Sequence, residues 1–248
     1  MSIPVNPNPN IQPAPTFQKA DVKTQTDLNL KKVYVWELPV RIFHWINALS
    51  IVILMITGIY IGRPFVGATI PEEAYYSFVM GWARYIHFFT AFLFTINLFF
   101  RFYWVFVGNR HAKSNPLKKV FWQGVWETLK SYLFLKNKKK HYIGHNPLAE
   151  LSYWIFIGLG STIMIFTGYY LFFEPSNESF LGSLFAWVPS VFGGSSFSVR
   201  SWHHFVAWSF ILFAIIHIYM AFREDWLDKN GTMSSIFTGY KTEHEDKN

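Results

Sequence analysis

The sequence predicts an all-α integral membrane protein, a four-helix bundle, on three observations: long apolar blocks, low charge, and basic residues gathered in particular loops. Of 248 residues, 51% are hydrophobic and only 15% charged, whereas a soluble domain of this length would carry about a quarter charge. The apolar residues run in blocks rather than at the alternation of a strand or the stripe of a surface helix.

The elements follow in order. Residues 1–32, beginning MSIPVNPNPNIQPAP, are polar and proline-rich and are expected to form a disordered cytoplasmic tail with no apolar leader. Four segments near 40–61, 82–107, 150–173 and 200–223 then approach or exceed the ~20 apolar residues a bilayer requires. They build one domain over 33–227, followed by a polar tail over 228–248.

Loop 108–149 holds Arg110, Lys113, Lys118, Lys119, Lys130, Lys136, Lys138, Lys139 and Lys140, and Lys19, Lys23, Lys31 and Lys32 lie in the first tail. Loop 62–81 holds only Arg63, and loop 174–199 has no Lys or Arg. This bias places both termini and the 108–149 loop in the cytoplasm. It also makes the net charge of +7 a topology signal rather than a nucleic-acid footprint. Segment 117–135 (LKKVFWQGVWETLKSYLFL) is amphipathic and suits the membrane surface. On the opposite side, 180–192 (FLGSLFAWVPSVF) is apolar and broken by Pro189; a lipid-facing loop and a docking surface are both open readings.

No cysteine is present, which excludes disulfides, thiolate zinc sites, Cys-ligated iron–sulfur clusters and thioether-linked haem. Histidine is left as the strong nitrogen ligand, and ionisable groups in a membrane helix are functional candidates. His203 and His217 are 14 residues apart on the fourth segment. That spacing is within about 40° of four full turns and rises roughly 21 Å, so both face one way at two levels of a core about 30 Å thick. His44 enters the first segment from the cytoplasmic side, level with His217; His87 enters the second from outside, level with His203. Each level then holds two histidines on different helices, suited to axial ligation of an iron from both sides. The expected metal ligands are His87 and His203 for an outer haem b, and His44 and His217 for an inner one.

One spacing recurs at three helix starts: Arg41-x-x-His44, Arg84-x-x-His87 and Arg200-x-x-His203. An arginine one turn toward water from a ligand is placed to pair with a haem propionate; marking the membrane interface is the bland alternative. Arg101 follows His87 by 14 residues and Gly58 follows His44 by 14. Arg101 is a candidate for an inner propionate or a quinone oxygen, against snorkelling to the interface. Gly58 offers close approach to a porphyrin or simple helix packing. His204 lies about 100° off the ligand face and reads as a neighbour. His111, His141 and His145 lie in the basic loop and read as solvated. The third segment has no histidine, and its Gly158, Gly160 and Gly168 suit close packing.

RIFHWINALSIVILMITGIYI (41–61), GWARYIHFFTAFLFTINLFFRFYW (81–104) and SWHHFVAWSFILFAIIHIYMAF (201–222) resemble the b-type cytochrome subunit of membrane-bound Ni,Fe-hydrogenases. The likeness covers about 32–227 and is specific in R-x-x-H-W-x-N-A-L-S and in H-H-x(12)-H. The wider group includes the cytochrome b subunits of formate dehydrogenase and thiosulfate reductase, which remain the alternative assignment. The resemblance implies a protein of the bacterial cytoplasmic membrane whose partners are the hydrogenase small (iron–sulfur) and large (Ni,Fe) subunits. Electrons from hydrogen oxidised outside would cross the outer and then the inner haem to a quinone, menaquinone foremost. Quinone reduction would occur here, near Arg101 and the inner end of the fourth helix. Hydrogen chemistry belongs to the partner, because no Cys is available to bind nickel and iron. A haem-free transporter or scaffold is the reading from a different class, and it predicts no b-haem absorption.

Overall fold

The computed structural model describes residues 30–65, 78–109, 118–133, 135, 144, 146–176 and 178–244. Four helical stretches in it are long and apolar enough to cross a membrane: Leu38–Gly62, Val79–Val107, Pro147–Ser176 and Ser196–Asp228. Each reaches past its apolar core at one or both ends. Apolar content marks the depth of hydrocarbon, whereas backbone hydrogen bonding carries a helix on into the interface.

The first span, α1 (Leu38–Gly62), starts on Leu38-Pro39, where a missing N–H costs nothing. The second, α2 (Val79–Val107), returns beside it. Their ends are tied by Glu37, whose Oε2 accepts from Trp104 Nε1 at 3.0 Å and from the Asn109 amide at 3.1 Å. Deeper, Asn97 Nδ2 donates to the Phe43 carbonyl at 3.1 Å. The amphipathic segment forms α3 (Lys119–Tyr132), burying Phe121, Gly124, Val125 and Thr128 on one face.

The third span is composite: α4 (Pro147–Tyr153), a π-helical stretch (Trp154–Gly160) and α5 (Ser161–Phe173). Asn146 caps it by accepting from the Ala149 amide at 2.8 Å, and its Nδ2 donates to the Tyr132 hydroxyl at 2.9 Å. The apolar 180–192 stretch folds as two short helices, α6 (Phe180–Phe185) and α7 (Val188–Val191). The fourth span, α8 (Ser196–Asp228), packs on the third. The bundle is thus two antiparallel hairpins, first span with second and third with fourth, with lighter packing between the hairpins.

Its interior mixes apolar residues such as Phe94, Leu98, Val206 and Phe210 with small polar ones. Large apolar side chains such as Phe99, Phe205 and Ile215 are exposed, while Ser50, Thr57, Thr90, Thr95, Asn97, Ser161 and Thr167 are buried. In hydrocarbon, small and hydroxyl-bearing residues between helices supply close packing and hydrogen bonds that lipid cannot. Tyr169, donating to Thr95 Oγ1 at 3.2 Å, links the two hairpins in this way.

Beyond the fourth span, Lys229 turns with φ 47° and the chain forms α9 (Thr232–Thr238) and β2 (Tyr240–His244). β2 pairs antiparallel with β1 (Leu30–Tyr34), Tyr34 opposite Tyr240 and Lys32 opposite Thr242. Residues at the edges of both polar tails therefore meet at one end of the bundle, here termed the tail end. The turn needs Gly239: its φ is 88°, and a Cβ there would fall 2.6 Å from Tyr34 Cε2 and 2.8 Å from the Trp36 carbonyl oxygen. Trp36 Nε1 donates to Ser235 Oγ at 3.1 Å, seating α9 against the entry to the first span.

Candidate functional site

The ends of the spans place the histidines. His44 stands just inside the start of α1, and His217 about three turns before the end of α8, so both belong to the tail end. Their rings face one another with centroids 6.3 Å apart and planes inclined at 49°. That separation suits one metal ion bonded to a nitrogen of each ring at about 2 Å. His217 is stacked at 22° on Phe213, with its Nδ1 3.4 Å from the Tyr153 hydroxyl. His44 Nδ1 is buried and makes no hydrogen bond.

His87 and His203 sit near the starts of α2 and α8, at the opposite end, with His203 within electrostatic reach of His87. Thr57 Oγ1 lies 2.8 Å from His87 Nδ1, and Thr167 Oγ1 lies 2.9 Å from His203 Nδ1. Each hydroxyl gives its proton to the carbonyl one turn back, Ile53 and Ile163, both at 2.7 Å. With its proton so used, the hydroxyl oxygen is placed to accept from an Nδ1–H, an arrangement that leaves the lone pair on Nε2. A glycine follows each threonine. A Cβ on Gly58 would come 3.3 Å from His87 Cε1, and one on Gly168 3.2 Å from His203 Cε1. The missing side chain at Gly58 thus makes room for a histidine ring.

The arginines diverge. Arg101 lies in the second span with Nη1 buried and making no hydrogen bond. Arg41 donates to the Phe237 carbonyl, while its Nε is buried without a partner. Arg200 pairs with Glu174 at 3.5 Å, and Arg84 is exposed. His204 stands beside Gly62 at the end of the first span. His111, His141 and His145 lie outside the described residues. Among the described residues no three His, Asp or Glu side chains converge on one point.

Thr57, Thr167 and Tyr153 escaped the reading of the sequence. The first two had a visible signal: Ile56-Thr57-Gly58 and Phe166-Thr167-Gly168 repeat one dipeptide on the first and third spans.

The family of prokaryotic cytochrome b561 matches residues 35–239, which spans every element from the entry of α1 to Gly239. The chain belongs to that family. The cytochrome is also 39% identical over 220 residues to a "Probable Ni/Fe-hydrogenase B-type cytochrome subunit" of Azotobacter vinelandii, covering 87% of this chain and 90% of the relative. A protein of the same description from Rhodobacter capsulatus is 40% identical, covering 87% and 83%. The "Probable Ni/Fe-hydrogenase 1 B-type cytochrome subunit" of Escherichia coli K12 is 39% identical, covering 86% and 92%. Membership in a b-type cytochrome family implies b-type haem, and the four apolar helices make the cytochrome a multi-pass membrane protein.

Proposed function

We propose that the cytochrome is the dihaem membrane subunit that carries electrons from a periplasmic Ni,Fe-hydrogenase to the quinone pool of the bacterial cytoplasmic membrane, with both termini cytoplasmic. The observation that carries this reading is the facing pair His44/His217 at the tail end, with His87 and His203 on two helices at the opposite end. The relatives' printed names favour a hydrogenase over a formate dehydrogenase as the partner.

In this reading His44 and His217 hold one haem b and His87 and His203 the other. Bound haem would supply a reversible one-electron iron couple at each level. The chain's own work is to keep the two levels in file. A single rigid helix, α8, contributes to both, and its 14-residue spacing sets them roughly 21 Å apart along the axis. The four imidazoles are half-buried between the helices. Arg101, with an unmatched donor at the level of His44 and His217, is placed to meet a propionate or a quinone oxygen.

The test is a reduced-minus-oxidised spectrum with haem quantification on the purified complex. Two haems b per chain are expected. His44→Ala and His217→Ala should lose the same haem and keep the other. One haem per chain, or none, would sink the dihaem assignment; co-purification with a molybdenum or tungsten enzyme instead of a nickel one would sink the hydrogenase partner.

A further inference from the structure

The two histidine pairs differ in how Nδ1 is held. Both Nδ1 atoms of the His87/His203 pair meet a threonine oxygen at under 3 Å. At the tail end, the Tyr153 hydroxyl stands 3.4 Å from His217 Nδ1, and His44 Nδ1 has no partner. We propose that Thr57 and Thr167 are positioning residues which fix His87 and His203 as Nδ1–H tautomers and set the reduction potential of that centre below that of the His44/His217 centre. This rests on the reading of these histidines as haem ligands.

The threonines are suited to the task. They are 9% and 0% exposed, so water does not compete for the hydroxyl oxygen. Each is locked by donating to a carbonyl of its own helix, which fixes the direction in which the oxygen accepts. The adjoining glycine clears space for Cε1, the carbon between the two ring nitrogens. Threonine and glycine therefore act as one unit, binding Nδ1 and seating the ring edge beside it. The unit occurs twice, on α1 facing the second span and on α5 facing the fourth, each time within one of the two hairpins.

An imidazole that donates from Nδ1 becomes a more basic ligand through its other nitrogen. A more basic ligand favours the oxidised metal and so lowers its potential. Two such ligands at one level, against one long contact and one orphan at the other, separate the two potentials. Electrons entering at the end opposite the tails then run downhill toward His44 and His217.

The experiment is a redox titration of the full-length haem-loaded protein, followed at the haem absorption bands, for Thr57→Val, Thr167→Val and the serine variants of both. One midpoint should rise in each valine variant, by about a tenfold change in the reduction equilibrium, ~59 mV for a one-electron couple. The other midpoint should stay, and serine, which keeps the hydroxyl, should restore the first. Loss of one haem in a valine variant with retention in its serine counterpart supports the role equally. Unmoved midpoints, equal movement of both, or serine behaving as valine would overturn it. A His87→Ala control separates the two ideas. If it retains both haems the ligand reading fails with the inference; if it has lost one while Thr57→Val is silent, the inference alone fails.

Discussion

An unpartnered donor in a buried place costs about 1–3 kcal/mol, more when charged. Arg101 Nη1 is such a donor in the second span, and an anionic group at that depth would satisfy it. A unit charge acting over ~10 Å at an effective dielectric of ~20 is worth about 1–2 kcal/mol. Arg101→Gln should therefore lower the midpoint of the His44/His217 centre by roughly tenfold in equilibrium and leave the other untouched. Potentiometric titration reads this directly, and two unmoved midpoints would assign Arg101 to the interface. At Gly168 the constraint is steric. A Cβ would sit 3.2 Å from His203 Cε1, so Gly168→Val should push the ring aside, at a cost of about 1–3 kcal/mol for overpacking. The expected outcome is loss of the haem at the His87/His203 level, measured by haem content per chain. The in-phase pair on the fourth span was legible because 14 residues return a helix nearly to one face. The threonine partners were not, because spacing within a helix says nothing of what a neighbouring helix presents to it.

Among the elements, the four spans could be read from apolar runs of the ~20 residues a bilayer requires, together with low charge. The π-helical stretch Trp154–Gly160 leaves no such mark. It is a local choice of hydrogen-bond partner, and it follows Tyr153, the residue facing His217. The pairing of β1 with β2 was equally hidden, because register between segments some two hundred residues apart is set by tertiary packing. Gly239 is its most exacting position. Gly239→Ala forces a side chain into a left-handed backbone already crowded by Tyr34 and Trp36, at a cost of about 1–3 kcal/mol. Limited proteolysis should then release the segment after Asp228 faster than in the parent, with the membrane core intact; an unchanged cleavage rate would show that the strands do not depend on this turn.

On the scale of the whole molecule, the surface helix α3 packs one face on the start of the third span, and Tyr132 at its end adds polar ties. The Tyr132 hydroxyl accepts from Asn146, and its ring lies under the Arg223 guanidinium at 5.4 Å. Burial, and then the Glu224 carboxylate, push the phenol up from 10.0 to about 12. A group whose folded value is raised lends stability that is full below the unfolded value and lost as pH climbs through the folded one. The docking of α3 should therefore hold below pH 10 and weaken toward pH 12, tracked by tyrosinate absorbance and protease access. Tyr132→Phe should remove that alkaline transition, though with weaker docking throughout.

The strand pair has a further implication, for biogenesis. Arg41, three residues before His44, is held by the carbonyl of Phe237, and Trp36 by Ser235. A ribosome must complete almost the whole polypeptide before these partners exist. The Glu37 tie to Trp104 and Asn109 can form once the second span is made, whereas the ties of Arg41 and Trp36 wait for the end of synthesis. His44 and His217 are accordingly the pair that a maturation factor could reach latest.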